Sequence, residues 1–489
     1  MIYIFLDGHD FKYDVFQLTK AFFPSEEISF LSSKEEYKNE GCLLESTIYE
    51  EGNKTYGKAT IYLNGKFHTD KIECINDIDL GNNSFKKCAK IGIKKSIYNS
   101  LLSIAERNMP WGILTGIRPV KIVHNLLDNK VAEGRILDIL TKEYKLAPNK
   151  AELIINISKK QRTYIYPLDK DRFSLYVSIP FCPTRCVYCS FPSVPVDKYS
   201  SFIENYTETL IWEINKIKGL MDGKSINTVY IGGGTPTAIP TKNLENIIEA
   251  IYLNFGVENI KEFTVEAGRP DTINKEVLTM LYKNNIDRIS INPQTMNDET
   301  LKLIGRKHNK EDIIRAYSLA KEIGFKVINM DLIVGLPSEG KDEVIKTLME
   351  IEKLNPENLT VHTLAVKRGS KFKETMDRYT VGDQSTIEEM IQETINFANK
   401  MNLEPYYLYR QKQMMGNFEN VGYSKEGMEC IYNIAIMEEK ETIMAAGMGA
   451  VSKIFFPEEN RFERVPNFKD MKEYLERTDE LIERKKKRS

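Results

Sequence analysis

Residues 173–191 read FSLYVSIPFCPTRCVYCSF, and this stretch decides the fold. Its first half, SLYVSI, is a short run rich in β-branched and aromatic residues, which is typical of a buried strand. Further runs of this kind follow, with amphipathic helical patterns between them. They are NTVYI (227–231), EFTVEA (262–267), RISIN (288–292), VINMDLIV (327–334) and NLTVHTL (358–364). Strands that alternate with helices in this way predict an α/β fold with a parallel sheet.

The number of strand–helix units predicts the form of the sheet. Six units favour a partial parallel (β/α)6 barrel, because a complete barrel of this type has eight. Active sites of such barrels lie at the carboxyl ends of the strands, in the loops that follow them. The motifs described below fall in those loops.

The segments on either side of the repeat have a different character. Residues 1–165 combine strand-like runs such as MIYIFL with later helical patterns, and we interpret them as an N-terminal α/β domain. Residues 166–403 form the predicted barrel. Residues 404–489 begin with EPYYLYRQK and end in a charged helical pattern, so we expect a C-terminal extension there.

Composition excludes several classes of protein. The chain has 68 Lys plus Arg against 70 Asp plus Glu, so its formal charge of −2 creates no global field for nucleic acid. No stretch reaches the roughly 18 apolar residues of a membrane span, and the opening MIYIFLDGHD lacks the basic region of a secretory signal. We expect a cytoplasmic protein that neither binds nucleic acid nor spans a membrane.

Three of the seven cysteines are close together. Cys182, Cys186 and Cys189 have C-x3-C-x2-C spacing directly after a strand, whereas the other four are scattered and are interpreted as small buried residues. A structural zinc site needs four ligands, and the nearest later histidine, His308, is over a hundred residues away. An iron–sulfur cluster held by three thiolates leaves one iron open to a chelating ligand. The spacing favours such a cluster, with zinc as the alternative.

The cysteine spacing, with an aromatic before the last cysteine, resembles the signature of the radical SAM superfamily. This resemblance implies a [4Fe-4S] cluster on the three cysteines and S-adenosylmethionine (SAM), which is cleaved to a 5′-deoxyadenosyl radical. The sequence GGGTPT (232–237), with IPFC upstream, is similar to the oxygen-independent coproporphyrinogen III oxidase family, which also includes haem chaperones. That family implies a partial radical SAM barrel with one or two SAM molecules.

The same resemblance implies a set of cofactor-binding residues at successive strand ends. It places the glycine loop at the SAM amino group, Glu266 at the first SAM, and the later residues at a second SAM or nearby substrate. Taken singly, each has a plain structural interpretation as a turn, a core aromatic or an ion pair. The implied SAM contacts are Tyr176, Tyr188, Gly233, Gly234, Thr235, Glu266, Gln294, Arg306, Asp331 and Ala365.

Both flanking segments are similar to the coproporphyrinogen dehydrogenase variant of this family, through ILTGIRP (113–119) and GNFENVGYSKEGMECIYNI (416–434). The variant implies oxidative decarboxylation of coproporphyrinogen III to protoporphyrinogen IX in haem biosynthesis. It implies a tetrapyrrole substrate and an electron donor such as flavodoxin or ferredoxin. Bidentate arginines suit the substrate carboxylates, and the candidates are Arg269, Arg306 and Arg410.

One position departs from the oxidase pattern. Phe191 stands where the oxidase has a fourth cysteine, and the haem chaperones also lack that cysteine. Against the chaperones, neither His124-Asn125 nor His308-Asn309 continues into their H-N-x-x-Y-W haem-binding motif. The open hypotheses are a coproporphyrinogen dehydrogenase, a haem-binding chaperone-like protein and a radical SAM enzyme acting on another tetrapyrrole.

Overall fold

The computed structural model describes residues 1–38, 40–74, 85–105, 109–116, 118–365, 382–411 and 417–488. The chain divides into two compact units, Met1–Lys159 and Lys160–Ser489. Within the described ranges, no helix has the length and apolar character that a membrane crossing requires.

The first unit is a five-stranded sheet with helices packed around its own core. Asn64 and Gly65 both have positive φ, at 51° and 76°, and form the two-residue turn that joins the fourth and fifth strands. The sheet order is β2-β1-β3-β4-β5. The strands are β1 (Ile2–Asp7), β2 (Ile28–Phe30), β3 (Cys42–Glu51), β4 (Lys54–Leu63) and β5 (Lys66–Glu73). The helices are α1 (Lys12–Phe22), α2 (Phe85–Leu102), α3 (Val120–Asp128), α4 (Glu133–Asp138) and α5 (Pro148–Ile165), which continues into the second unit.

The second unit is built on one large sheet. Its strands are β6 (Arg172–Ile179), β9 (Ser225–Gly233), β10 (Glu262–Gly268), β11 (Arg288–Ile291), β12 (Val327–Val334), β13 (Asn358–Thr363), β14 (Glu404–Tyr409), β15 (Asn420–Ser424), β16 (Thr442–Ala446), β17 (Val451–Phe456) and β18 (Arg461–Pro466). A separate short pair consists of β7 (Phe181–Cys182) and β8 (Val194–Pro195). The order of the large sheet is β14-β15-β13-β12-β11-β10-β9-β6-β16-β17-β18.

Helices lie between the strands of this sheet and follow its last strand. They are α6 (Val196–Tyr199), α7 (Ile203–Leu220), α8 (Thr241–Phe255), α9 (Lys275–Lys283), α10 (Asp298–Leu303), α11 (Lys310–Ile323), α12 (Lys341–Leu354), α13 (Gln384–Lys400), α14 (Ile431–Glu438), α15 (Met471–Glu476) and α16 (Thr478–Lys486). Side chains on both faces of the central strands are buried, which explains their nearly continuous apolar sequences.

The predicted α/β fold is confirmed. The six predicted strands are β6 and β9 to β13, which lie side by side and pair in parallel. Antiparallel β15 and β14 extend the sheet beyond β13, and β16 pairs in parallel with β6 at the other side. The hydrogen-bonded order is therefore open, and residues after 404 add strands to the same sheet.

Candidate active site

A cavity of about 360 Å³ lies at the carboxyl ends of the parallel strands. Most sequence-predicted site residues line it, although they come from segments far apart in the chain. They are Cys182, Cys186, Cys189, Tyr188, Gly233, Gly234, Thr235, Glu266, Gln294, Arg306, Asp331 and Ala365. The volume falls within the range of small-molecule sites. The structure thus brings the three cysteines and the glycine loop to one cavity.

The cysteine loop is held by two buried arginines. Arg269 donates from Nη1 to the carbonyl oxygen and Oγ1 of Thr184, at 3.0 and 2.7 Å. Its Nε and Nη2 donate to the two carboxylate oxygens of Asp271, at 2.9 and 2.7 Å. Arg306 donates to Tyr188 Oη at 3.0 Å and to the carbonyl oxygen of Asn292 at 3.1 Å. Both guanidinium groups therefore hold the loop that carries the three cysteines.

The three thiols fit an iron–sulfur cluster. All three are free of disulfides and line the same cavity. Burial raises the pKa of the Cys182 and Cys189 thiols, so these groups would release protons on binding iron. In the described part of the chain, no three His, Cys, Asp or Glu side chains are grouped for a metal ion.

The glycine loop after β9 approaches the backbone of the cysteine loop closely. Gly234 N donates to the carbonyl oxygen of Ile179 and Thr235 N to that of Phe181, both at 2.8 Å. Gly233 has φ +110°, and a Cβ there would lie 2.9 Å from Ser178 Oγ. Glycine is required at this position because the backbone conformation and the lack of space both exclude a side chain.

Glu266 carries a half-buried carboxyl group near the end of β10. It accepts hydrogen bonds from Tyr230 Oη at 2.6 Å and from Gly233 N at 3.2 Å. Burial raises its pKa to about 7, and the charge of Asp331 acts in the same direction. The carboxyl group can therefore be neutral or ionised near neutral pH, and a cationic ligand would favour the ionised form.

Several polar atoms beside Glu266 lack a hydrogen-bond partner among the residues that the structure describes. Within that part of the chain, Ser290 Oγ, Asn292 Oδ1 and Gln294 Oε1 are buried without a hydrogen bond, and all three residues line the cavity. Buried polar atoms are rarely left unpaired, so these groups are suited to hydrogen bonding with a polar ligand. Gln294 also has φ +69°, and its backbone pairs with β12 through the Asp331 carbonyl oxygen at 2.9 Å.

Two predicted residues do not line the cavity. Tyr176 lies behind it, where its ring stacks on Tyr230 and Tyr432 with centroid separations of 6.3 and 6.1 Å. Arg410 is buried and donates from Nη2 to Asn417 Oδ1 at 2.6 Å. By contrast, Phe191 lines the cavity and is 61% exposed.

The sequence did not point to a further group of cavity residues. They belong to β9, β12, β13, β14, β15 and α14, and they are Tyr230, Asn329, His362, Tyr409, Asn420 and Asn433. Their positions near strand ends were a usable signal for Tyr230 and His362. Asn420 and Tyr409 follow segments whose place in the sheet is not apparent from local sequence.

Residues 176–351 match the Radical SAM superfamily. The chain is 43% identical over 381 residues to the oxygen-independent coproporphyrinogen-III oxidase-like protein HemZ of Bacillus subtilis, covering 76% of each chain. It is 30% identical over 285 residues to the haem chaperone HemW of the same organism, covering 57% of this chain and 70% of HemW. The structure of coproporphyrinogen III oxidase (HemN) from Escherichia coli matches with a TM-score of 0.52 at 24% identity, covering 66% of this chain and 72% of HemN. The structural match concerns the fold.

Proposed function

The chain belongs to the radical SAM superfamily, in the family of HemZ, HemN and HemW, and from this premise we propose that it oxidatively decarboxylates coproporphyrinogen III. The observation that carries the proposal is the arrangement of three free cysteines, the glycine loop and Glu266 around one cavity. The 43% identity to a coproporphyrinogen-III oxidase-like protein over most of both chains supports this substrate.

We assign the cofactors to the residues that fit them. Cys182, Cys186 and Cys189 would hold a [4Fe-4S] cluster, and Glu266 with the glycine loop would bind SAM. When bound, this pair supplies a 5′-deoxyadenosyl radical that removes a hydrogen atom from the substrate. A site for one or two SAM molecules is completed by Gln294, Arg306, Asp331 and Ala365. Tyr188 supports this site directly, and Tyr176 supports it through its stack on Tyr230.

The chain's own residues orient the ligands. Arg269 and Arg306 keep the cysteine loop in place through the bonds to Thr184 and Tyr188. Glu266 offers an anionic partner for the SAM amino group while its own hydrogen bonds keep it in position. A low-potential electron donor such as flavodoxin or ferredoxin is required for SAM cleavage.

A second candidate function is haem binding without turnover. Phe191, at the edge of the cavity, occupies the position of the fourth oxidase cysteine and is 61% exposed. The identity to HemW proteins, named as haem chaperones, is consistent with this function. It requires tight haem binding by a protein that does not decarboxylate coproporphyrinogen III.

The proposal is tested by anaerobic reconstitution of the cluster, followed by addition of SAM, dithionite and coproporphyrinogen III. Chromatography and mass spectrometry then measure 5′-deoxyadenosine and tetrapyrrole products in the same sample. We expect loss of two CO2 units from the substrate together with formation of 5′-deoxyadenosine. Cys186→Ala should abolish both products, whereas Cys88→Ala, a buried cysteine in the first unit, should retain them.

The two products distinguish the hypotheses. Formation of 5′-deoxyadenosine without decarboxylation would retain the radical SAM assignment and require another tetrapyrrole substrate. If a fully loaded cluster cleaves no SAM and the protein binds haem tightly, the chaperone-like function replaces the enzymatic one.

A further inference from the structure

A row of polar side chains crosses three strands on the cavity side of the sheet. Tyr409 in β14 pairs directly with Asn420 in β15. Val361 in β13 pairs with Val421 in β15, which brings His362, the next residue, opposite Asn420. Paired residues of adjacent strands project from the same face of a sheet. All three side chains line the cavity, and none was assigned to the cluster or to SAM.

The side-chain amide of Asn420, the central residue of this row, is hydrogen-bonded through only one of its two polar atoms in the part of the chain that the structure describes. Asn420 is 1% exposed, and its Oδ1 accepts the backbone N–H of Thr363 at 2.7 Å. This bond identifies the other atom as Nδ2, which is buried beside the Tyr409 hydroxyl group and makes no hydrogen bond of good geometry with the described residues. Nδ2 can only donate, so the missing partner must be a hydrogen-bond acceptor.

The two outer residues are linked to each other. Tyr409 Oη lies 3.2 Å from His362 Nδ1, and His362 Nε2 lies 3.7 Å from Asp331 Oδ2. When the imidazole donates from Nδ1 to the tyrosine oxygen, the phenol proton is left to donate into the cavity. Tyr409 then acts beside Asn420 as a second donor.

We propose that Asn420 and Tyr409, positioned by His362, form a subsite that binds a carboxylate group. Two adjacent donors suit a carboxylate because it has two acceptor oxygens and forms stronger hydrogen bonds than a neutral carbonyl. The subsite deepens the proposed function and rests on it, since the tetrapyrrole substrate carries propionate groups. The other ligand that would supply a carboxylate group to this subsite is SAM, through its methionine part.

Binding to the reconstituted protein tests the subsite without relying on turnover. Fluorescence titration with coproporphyrin III measures its dissociation constant, and equilibrium dialysis measures that of SAM. Asn420→Asp keeps the oxygen that accepts the Thr363 N–H but replaces the free donor by an acceptor. Tyr409→Phe removes only the hydroxyl group. Tyr407→Phe is the matched control, because Tyr407 also lines the cavity but its hydroxyl donates within the protein, to Thr360 Oγ1 at 3.4 Å.

We expect Asn420→Asp and Tyr409→Phe each to weaken binding of the carboxylate ligand by about tenfold or more, as for hydrogen bonds to a charged group. Weaker coproporphyrin III binding with unchanged SAM binding identifies a substrate propionate. The reverse pattern identifies the methionine carboxylate. The tetramethyl ester of coproporphyrin should bind wild type and Asn420→Asp equally if the substrate is the source.

The proposal is overturned if both variants bind both ligands as wild type does, or if Tyr407→Phe weakens binding to the same extent. Failure of the proposed function gives a different result. If the wild-type protein binds coproporphyrin III through Asn420 but does not decarboxylate coproporphyrinogen III, the subsite stands and the proposed reaction does not. If wild type decarboxylates coproporphyrinogen III and neither variant changes binding, the proposed reaction stands and the subsite does not.

Discussion

Replacing Glu266 by glutamine should remove a pH-dependent loss of stability. The Glu266 carboxyl group has its pKa raised from 4.5 to about 7, chiefly by burial. The folded protein therefore holds this proton more tightly than the unfolded chain does. The stability that the protonated group contributes is complete below pH 4.5 and is lost as the pH rises through about 7.

The magnitude follows from the two pKa values. At 1.36 kcal/mol per pKa unit, the full loss of unfolding free energy is about 3 kcal/mol. About 1 kcal/mol of this stability is already lost at pH 5.5, because Glu266 in the unfolded chain is ionised at that pH. The remaining loss of about 2 kcal/mol occurs between pH 5.5 and 8.5. Glutamine does not ionise, and it can still accept from Tyr230. Its amide N–H2 would face Gly233 N, which costs about 1 kcal/mol at every pH.

Urea-induced unfolding of the protein before addition of SAM measures this effect at pH 5.5 and 8.5. The difference in unfolding free energy between Glu266→Gln and wild type should shift by about 2 kcal/mol in favour of the variant as the pH rises. Glu276→Gln, at an exposed position of α9, serves as the control and should follow wild type at both pH values. Parallel pH profiles of Glu266→Gln and wild type would refute the assignment of a raised pKa to this group.

Two further predictions concern packing, one at the cavity and one at a buried ion pair outside it. Gly233→Ala should greatly reduce SAM binding, measured by equilibrium dialysis, because its Cβ would lie 2.9 Å from Ser178 Oγ at a φ of +110°. Gly219→Ala, where a Cβ meets nothing within 4 Å, should bind SAM as wild type does. Lys485→Met should lower the unfolding free energy by about 3 kcal/mol, since Lys485 and Glu213 form a fully buried ion pair. An unchanged urea midpoint for Lys485→Met would contradict this interpretation of the pair.

Much of the candidate site was predictable because its signals are local. The cysteines lie within eight residues of one another, so their spacing alone predicts that the thiols converge. The glycine loop follows a strand directly, and its three glycines indicate close backbone approach. Neither conclusion depends on how distant segments pack.

The arginines show where local reasoning stops. Arg269 and Arg306 are predicted candidates for substrate carboxylates and line the cavity, and the structure adds their bonds to Thr184 and Tyr188 of the cysteine loop, which the sequence does not indicate. Arg410 donates to Asn417 instead of reaching the cavity. A sequence shows that a guanidinium group is present, whereas its partner is decided by packing between segments.

The sequence by itself determined the six parallel strands, the close spacing of the three cysteines and the glycine loop, since hydrophobic periodicity and short spacings act over a few residues. Only the tertiary structure decided that strands after residue 404 join the same sheet and that Asn420 and Tyr409 reach the cavity. The physical reason is that strand order and register set which distant side chains share a face. Burial then determines which of their polar atoms remain without a partner and are available to a ligand.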